Sequence, residues 1–158
     1  FMNFNNINIY NNLVKFSRNK KLFRTFTQKD TFSDRLMIFL IHFSFFLKIY
    51  KNTENQQLMQ SIYDYIFNQL ELSIREIGYG DMSINKKMKN YINTFHSLLS
   101  EIDKWDTYND DEKDNLLRNF FSYQGEINDL TKYFEKYRLF LTKSSLNSFA
   151  KGVIKSDL

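Results

Sequence analysis

Residues 36–50 read LMIFLIHFSFFLKIY, a run that is apolar on every side of a helix and that decides the fold. A helix of this kind lies buried inside a protein or crosses a membrane. A membrane span needs about 20 apolar residues, whereas the uncharged part of this run ends at Leu47 and contains His42 and Ser44. We therefore expect a central buried helix over residues 33–51 and not a transmembrane segment.

On both sides of this run, apolar residues recur every three or four positions, which is typical of amphipathic helices. The longest such face joins Leu58, Ile62, Tyr65, Ile66, Leu70, Ile74 and Ile77. Besides the central helix, which Ser33 would cap, the spacing predicts helices over 7–21, 53–77, 83–105, 112–123 and 127–142. The sequence thus predicts an all-α, single-domain bundle of about six helices, with residues 1–143 as the domain and 144–158 as a C-terminal tail.

The composition excludes several kinds of chemistry. The chain has 158 residues with no cysteine, which excludes disulfides, thiolate zinc sites, iron–sulfur clusters and a cysteine nucleophile. With only His42 and His96 as imidazoles, a multi-histidine metal site is excluded too. We therefore expect neither a metal nor a cofactor. The chain is rich in Phe, Tyr and Asn and has no proline. This bias matches low-GC codon usage, so we attribute much of it to the base composition of the genome.

Charge is spread unevenly along the chain. Residues 1–52 hold nine Lys or Arg against two acidic residues, a net of +7, whereas residues 53–158 have a net of −3. The basic half could face an acidic partner, a ribosome or an anionic membrane, or be an ordinary solvated surface. Phe23-Arg24 and Phe26 interleave rings with a cation, as RNA-stacking surfaces do. The acid-free stretch from Lys15 to Lys29 resembles a transit peptide in composition but continues into the domain pattern.

Gly78-Tyr79-Gly80 follows a predicted helix and not a strand, which argues against a phosphate-binding loop. We expect Gly78 to end one helix in a left-handed conformation and Ser83 to cap the next. In the last turns before Gly78, Glu71 and Arg75 can pair at a spacing of four.

Three lysines stand out directly after this turn. Lys86, Lys87 and Lys89 fall in the first two turns of the predicted helix, where the helix dipole favours acidic residues. Lysines at positions that the helix dipole disfavours suggest an interaction with an anion or with an acidic partner segment. The alternative is a solvated basic turn that Asp81 partly offsets.

His42 is the other polar residue of interest. Inside the most apolar helix, we expect a hydrogen-bonded core histidine rather than a functional one. Asp34 and Ser44 are near in sequence, but no spacing arranges the three as a catalytic triad. We therefore expect no enzymatic activity.

Residues 74–89, IREIGYGDMSINKKMK, resemble the signature of the ubiquinol–cytochrome c chaperone family. Phe32-Ser33-Asp34-Arg35 and Leu40-Ile41-His42 look like the family's positions in its hydrophobic helix. The resemblance covers about residues 9–123 and departs at Phe95-His96-Ser97, where members have tyrosine–glycine–arginine. The residues of the signature that match are Arg75, Glu76, Gly78, Gly80, Asp81, Ser83, Lys86 or Lys87, Met88 and Lys89.

The resemblance implies a non-catalytic, all-helical assembly factor. Family members help newly made cytochrome b reach ubiquinol–cytochrome c reductase, with a small partner protein and, in some mitochondria, near the ribosome exit. It implies a location on the matrix side of the mitochondrial inner membrane, with peripheral membrane contact, or in the alphaproteobacterial cytoplasm. By resemblance, the residues that contact a partner or client are Arg35, His42, Arg75, Glu76, Gly78, Gly80, Asp81, Lys86, Lys87 and Lys89.

Two other functions stay open at this point. The same fold could serve as a permanent structural subunit of a mitochondrial respiratory complex. Alternatively, the basic N-terminal half could bind RNA or a ribosome, although its basic residues belong to no nucleic-acid motif.

Overall fold

The computed structural model describes residues 2–22, 32–122 and 126–158, and in these ranges the chain forms seven α-helices and no strand. The all-α fold predicted from the sequence is confirmed. In chain order the helices are α1 (Met2–Ser17), α2 (Phe32–Tyr50), α3 (Gln56–Ile77), α4 (Asp81–Asp103), α5 (Asp110–Phe121), α6 (Asn128–Lys143) and α7 (Leu146–Lys151). A single 3₁₀ turn, Trp105–Thr107, separates α4 from α5.

Helix α2 is the central helix of the bundle, as its sequence predicts. Every residue from Ile38 to Leu47 is buried, and α1, α4 and α6 all pack against the helix. The hydroxyl of Ser44 is satisfied inside the helix, since it donates to the carbonyl oxygen of Ile41 at 2.7 Å. A polar group buried with such a partner costs little, so α2 tolerates its polar residues in the core.

Aromatic rings fill the space around α2. The ring of Phe43 stacks on Phe95 with centroids 5.1 Å apart, and Phe45 stacks on Phe134 at 5.7 Å. The fully buried Trp105 meets Phe45 edge to face at 5.1 Å. Such pairs add about 0.5–1.5 kcal/mol each beyond the area they bury. Much of the aromatic content therefore serves the core and is not available to a partner.

The buried Trp105 also has a polar connection. Its indole Nε1–H donates to Glu135 at 2.7 Å, and Lys113 and Arg138 form ion pairs with the same carboxylate. Burial alone would raise the pKa of Glu135, but the hydrogen bonds from Lys113 and Trp105 lower it overall. This network ties the turn after α4 to α5 and α6.

The C-terminal segment, predicted from the sequence as a tail, packs on α1. Residues 146–151 form α7, and Phe149 is fully buried beside Phe16, Phe46 and Tyr50. Burying a phenylalanine side chain contributes about 1.5–3 kcal/mol. The segment thus contributes to the core, which the weak periodicity of its sequence did not indicate.

Asparagines of α1 hold this C-terminal segment in place. The side chain of Asn12 donates to the carbonyl oxygens of Phe149 and Gly152 at 2.9 and 2.7 Å and accepts from the backbone N–H of Ile154 at 2.9 Å. Asn8 donates to the carbonyl oxygen of Ala150 at 2.7 Å. Codon usage does not explain these contacts, so part of the asparagine excess has a structural role.

Candidate functional site

Eight of the ten candidate residues lie in the turn between α3 and α4 or in the helix ends next to it. Gly78 ends α3 with φ 103°, a left-handed conformation, and its N–H donates to the carbonyl oxygen of Arg75 at 2.9 Å. This confirms the role predicted for Gly78. Gly80 has extended backbone and precedes the first residue of α4, so only three residues join the two long helices.

The start of α4 differs from the sequence prediction. The helix begins at Asp81 with Gly80 as N-cap, and the N–H of Ile84 donates to the Gly80 carbonyl oxygen at 3.0 Å, so Ser83 lies inside the first turn and does not cap the helix. An acidic residue in the first turn suits the helix dipole, which favours this earlier start. The lysines from Lys86 onward therefore lie beyond the first turn, where the dipole acts on them only weakly.

The side chains of the turn form an ion pair across it. The guanidinium of Arg75 donates to the carboxylate of Asp81 at 2.7 Å, so the last turn of α3 is linked to the first residue of α4. The hydrogen bond to Asp81 raises the pKa of Arg75, and the charge of Glu71 raises it further. Arg75 thus hydrogen-bonds to Asp81, while Glu71 acts on it through its charge. Both partners are exposed, which makes the pair weak in energy.

Large apolar side chains are exposed at this same turn. Met82 is 88% exposed, and Ile77 and Tyr79 are about half exposed. Turns are normally built from small polar residues, so three large apolar side chains within six residues are unusual. Together with the lysines that follow, these residues form what we call the tip surface: Ile77, Tyr79, Met82, Lys86, Lys87 and Lys89.

Lysine and tyrosine are in contact on the tip surface. The ammonium of Lys87 lies 4.4 Å from the centre of the Tyr79 ring, a cation–π contact between α4 and the turn. Lys86 and Lys89 are exposed. Over residues 75–89, four cationic side chains stand against the two carboxylates of Glu76 and Asp81, a net of +2. The surface therefore combines apolar contact area with positive charge.

The two glycines of the turn are expected to respond differently to mutation. Gly78→Ala is expected to lower the free energy of unfolding by about 1–2 kcal/mol, because an L-residue is strained at φ 103°. Gly80→Ala is the matched control, since its backbone is extended and no atom lies within 4 Å of an added Cβ. We expect it to change the free energy by less than about 0.5 kcal/mol. Urea unfolding of both variants measures this, and equal losses would contradict the left-handed turn.

The other two candidates lie away from the tip surface. Arg35 is exposed near the start of α2, where it lines a cavity between α1, α2 and α3. His42 is fully buried in the middle of α2. The structure therefore brings eight candidates together and separates these two from them.

His42 has the environment of a core histidine. Its Nδ1 lies 2.8 Å from the carbonyl oxygen of Ile38, and its Nε2 lies 2.8 Å from the hydroxyl of Tyr133. The rings of Phe134 and Tyr137 pack against the imidazole at 5.1 and 4.6 Å. Burial lowers the pKa of His42 to about 4, which keeps the ring neutral. In this position the side chain joins α2 to α6 and is out of reach of a partner.

Three members of the tip surface were missed in the sequence. Ile77 was assigned to the buried face of α3 because it continues the three-to-four spacing, yet it is 51% exposed. The spacing places a residue on a face but does not show whether a neighbouring helix covers that face so near its end. For Tyr79 and Met82 a signal did exist, namely large apolar residues in and directly after a glycine turn.

The described ranges contain few other features that bear on function. No group of three or more acidic or histidine side chains in them lies together so that it could hold a metal ion. None of the helices within these ranges is long and apolar enough to span a bilayer. Phe23, Arg24 and Phe26, which suggested RNA stacking, lie outside the residues that the structure describes.

Similarity to known proteins concerns both sequence family and fold. Residues 24–156 match the family model described as ubiquinol-cytochrome C chaperone. The chain is also similar to a solved structure, the crystal structure of the Cbp3 homolog from Brucella abortus, with a TM-score of 0.76 and 20% sequence identity over 96% of this chain and 89% of that one. At this identity the likeness shows the fold alone. No curated protein matches the chain.

Proposed function

Because the chain belongs to the ubiquinol–cytochrome c chaperone family, we propose that it is a non-catalytic assembly factor that binds cytochrome b, or another component of ubiquinol–cytochrome c reductase, through the tip surface. A chaperone role implies protein partners. The single observation that supports binding at the tip surface is the exposure of Met82, Ile77 and Tyr79 beside three lysines. Its place of action would be the matrix side of the mitochondrial inner membrane, or the cytoplasm in an alphaproteobacterium.

The tip surface suits a hydrophobic partner segment that carries negative charge. Met82 has a flexible, polarisable side chain that adapts to irregular apolar surfaces. Tyr79 offers a large contact area, and the contact with Lys87 restricts its ring, which lowers the entropy lost on binding. The lysines would select acidic residues or a carboxyl terminus in the partner and would speed the encounter.

The energy available at this surface is sufficient for a transient complex. Fully burying one apolar side chain of this size contributes about 1.5–3 kcal/mol. Three such side chains supply about 4.5–9 kcal/mol, of which association costs at least about 4 kcal/mol, so the apolar contacts alone support a weak complex in the millimolar range. An assembly factor has to release its client, so a modest affinity agrees with the proposed role.

The proposal is tested by purifying the tagged full chain from its own cells in mild detergent. We expect cytochrome b or another reductase component to co-purify with the chain. In mature reductase the chain itself should be present at less than one copy per complex. Ile77→Ser with Met82→Ser should reduce the recovered partner about tenfold, since each change removes apolar area. The matched control is Leu139→Ser with Val153→Ser, which removes similarly exposed side chains elsewhere.

Three outcomes would overturn the proposal. The first is the absence of every reductase component from the wild-type purification, and the second is equal retention of these components by the tip and control variants. The third is recovery of the chain in mature reductase at one copy per complex, which would identify it as a permanent structural subunit.

A further inference from the structure

A cavity lies where α1, α2 and α3 meet. Its volume is about 190 Å³. The wall is mostly apolar and includes Val14, Leu36, Phe39, Ile66, Phe67 and Leu70. Neither the tip surface nor the His42 environment contributes to it. The proposed function therefore does not explain the cavity.

The polar groups of the cavity are of two kinds. The hydroxyls of Ser17 and Ser73 donate to carbonyl oxygens of their own helices at 2.8 and 3.0 Å. Arg18 and Arg35 are exposed and place two guanidinium groups at the edge of the cavity, and none of the described lining residues is acidic. The cavity thus has an apolar interior and a cationic edge.

The pKa of Tyr10 reflects the charges near this edge. Burial raises the pKa of its phenol, and Tyr65 and Glu76 raise it further, whereas the charge of Arg18 lowers it. Arg18, which directly follows α1, and Glu76 from the end of α3 therefore both act on the region of Tyr10. A ligand carboxylate would approach from this side, where Arg18 and Arg35 line the cavity.

We propose that the cavity binds a monocarboxylate with an unbranched apolar chain of about six to ten carbons. An apolar cavity of about 150 Å³ holds a benzene ring, so about 190 Å³ suits a chain slightly longer than six carbons. The chain enters between Val14, Phe39 and Leu70, and its carboxylate meets the guanidinium of Arg18, with Arg35 adding positive charge. Guanidinium groups bind carboxylates through paired hydrogen bonds, which makes arginine well suited to this head group.

The apolar chain and the carboxylate of the ligand contribute separately to its affinity. Each methylene group transferred from water to the cavity strengthens binding by a factor of about four. Octanoate, with four more methylene groups, is therefore expected to bind about 250-fold more tightly than butyrate. The charged head group adds about tenfold over 1-octanol, which has the same chain length without the charge.

The experiment is titration calorimetry of the full chain with octanoate, butyrate and 1-octanol. Arg18→Gln should weaken octanoate binding about tenfold and leave 1-octanol binding unchanged; this side chain is exposed, so the fold should persist. Val14→Phe should abolish binding of both eight-carbon compounds by filling the cavity. Arg118→Gln on α5 is the matched control, because Arg118 does not line the cavity.

The proposal is overturned if octanoate does not bind, or if Val14→Phe and Arg18→Gln bind it as well as the wild type does. It is also overturned if Val14→Phe removes the protein partner while no carboxylate binds, since the cavity would then hold a side chain of that partner. The tip variants should keep octanoate affinity, so failure of this proposal and failure of the proposed function are distinguishable.

Discussion

Replacing Asn12 by alanine is expected to lower the free energy of unfolding by about 3 kcal/mol. The buried Asn12 side chain makes three hydrogen bonds to the backbone of the C-terminal segment, at Phe149, Gly152 and Ile154. Alanine would leave two carbonyl groups and one N–H without that partner, and each unsatisfied buried group costs about 1–3 kcal/mol. The sum falls short of full additivity because the hydrogen bond to Gly152 is only partly buried, so water can reach that carbonyl group.

Two neighbouring asparagines are the controls for this prediction. Asn8→Ala removes one partly buried hydrogen bond and should cost about 1 kcal/mol. Asn11 is exposed, so Asn11→Ala should change the free energy of unfolding by less than about 0.5 kcal/mol. Urea unfolding gives the three values.

Hydrogen exchange tests the cause of the Asn12 effect. In Asn12→Ala the amide of Ile154 should lose protection first, together with the backbone of α7. Uniform loss of protection across all helices, with the C-terminal segment no more affected than α3, would contradict the role assigned to Asn12.

The second large effect concerns pH and His42. The pKa of His42 is about 4 in the folded state because of burial, against about 6.5 when unfolded. Below pH 6.5 the unfolded chain therefore binds a proton that the folded chain does not, so stability falls as pH falls from about 6.5 to about 4. Over that whole window the gap between the two pKa values corresponds to about 3 kcal/mol.

A variant that does not titrate isolates this contribution. Between pH 7 and pH 5 the wild type should lose about 2 kcal/mol more than His42→Gln. The carboxylates that also titrate in acid, including Glu135, are common to both proteins and cancel in the comparison. Urea midpoints at five pH values provide the measurement, and parallel curves for the two proteins would show that His42 is not buried as a neutral group.

The sequence predicted those parts of the fold that depend on local periodicity. Helix α2 is central because it is apolar all round, and Gly78 has the left-handed conformation that its position after a helix face indicates. The short α7 was missed, since six residues carry too little periodicity. Its packing depends on Asn8 and Asn12, whose partners are more than 130 residues away in the chain.

The candidate site was predicted in part. Lysines and glycines at the α3–α4 turn were recognised from the sequence, but the exposed Ile77 was assigned to the core because periodicity does not show where neighbouring helices end. Ser83 was expected to cap α4, whereas the ion pair between Arg75 and Asp81 accompanies an earlier start at Asp81. Tertiary contacts thus decide which apolar residues stay exposed for a partner.

The most direct test of partner binding at the tip surface is photo-crosslinking. A photoreactive amino acid at position 82 replaces the most exposed large apolar side chain among the residues that the structure describes, and the same residue at position 153 is the control, since Met82 and Val153 are 88% and 78% exposed. In cells that make respiratory complexes, we expect position 82 to form an adduct with cytochrome b or another reductase component, and position 153 to form none. An adduct from position 153 alone, or equal adducts from both positions, would contradict binding at the tip surface.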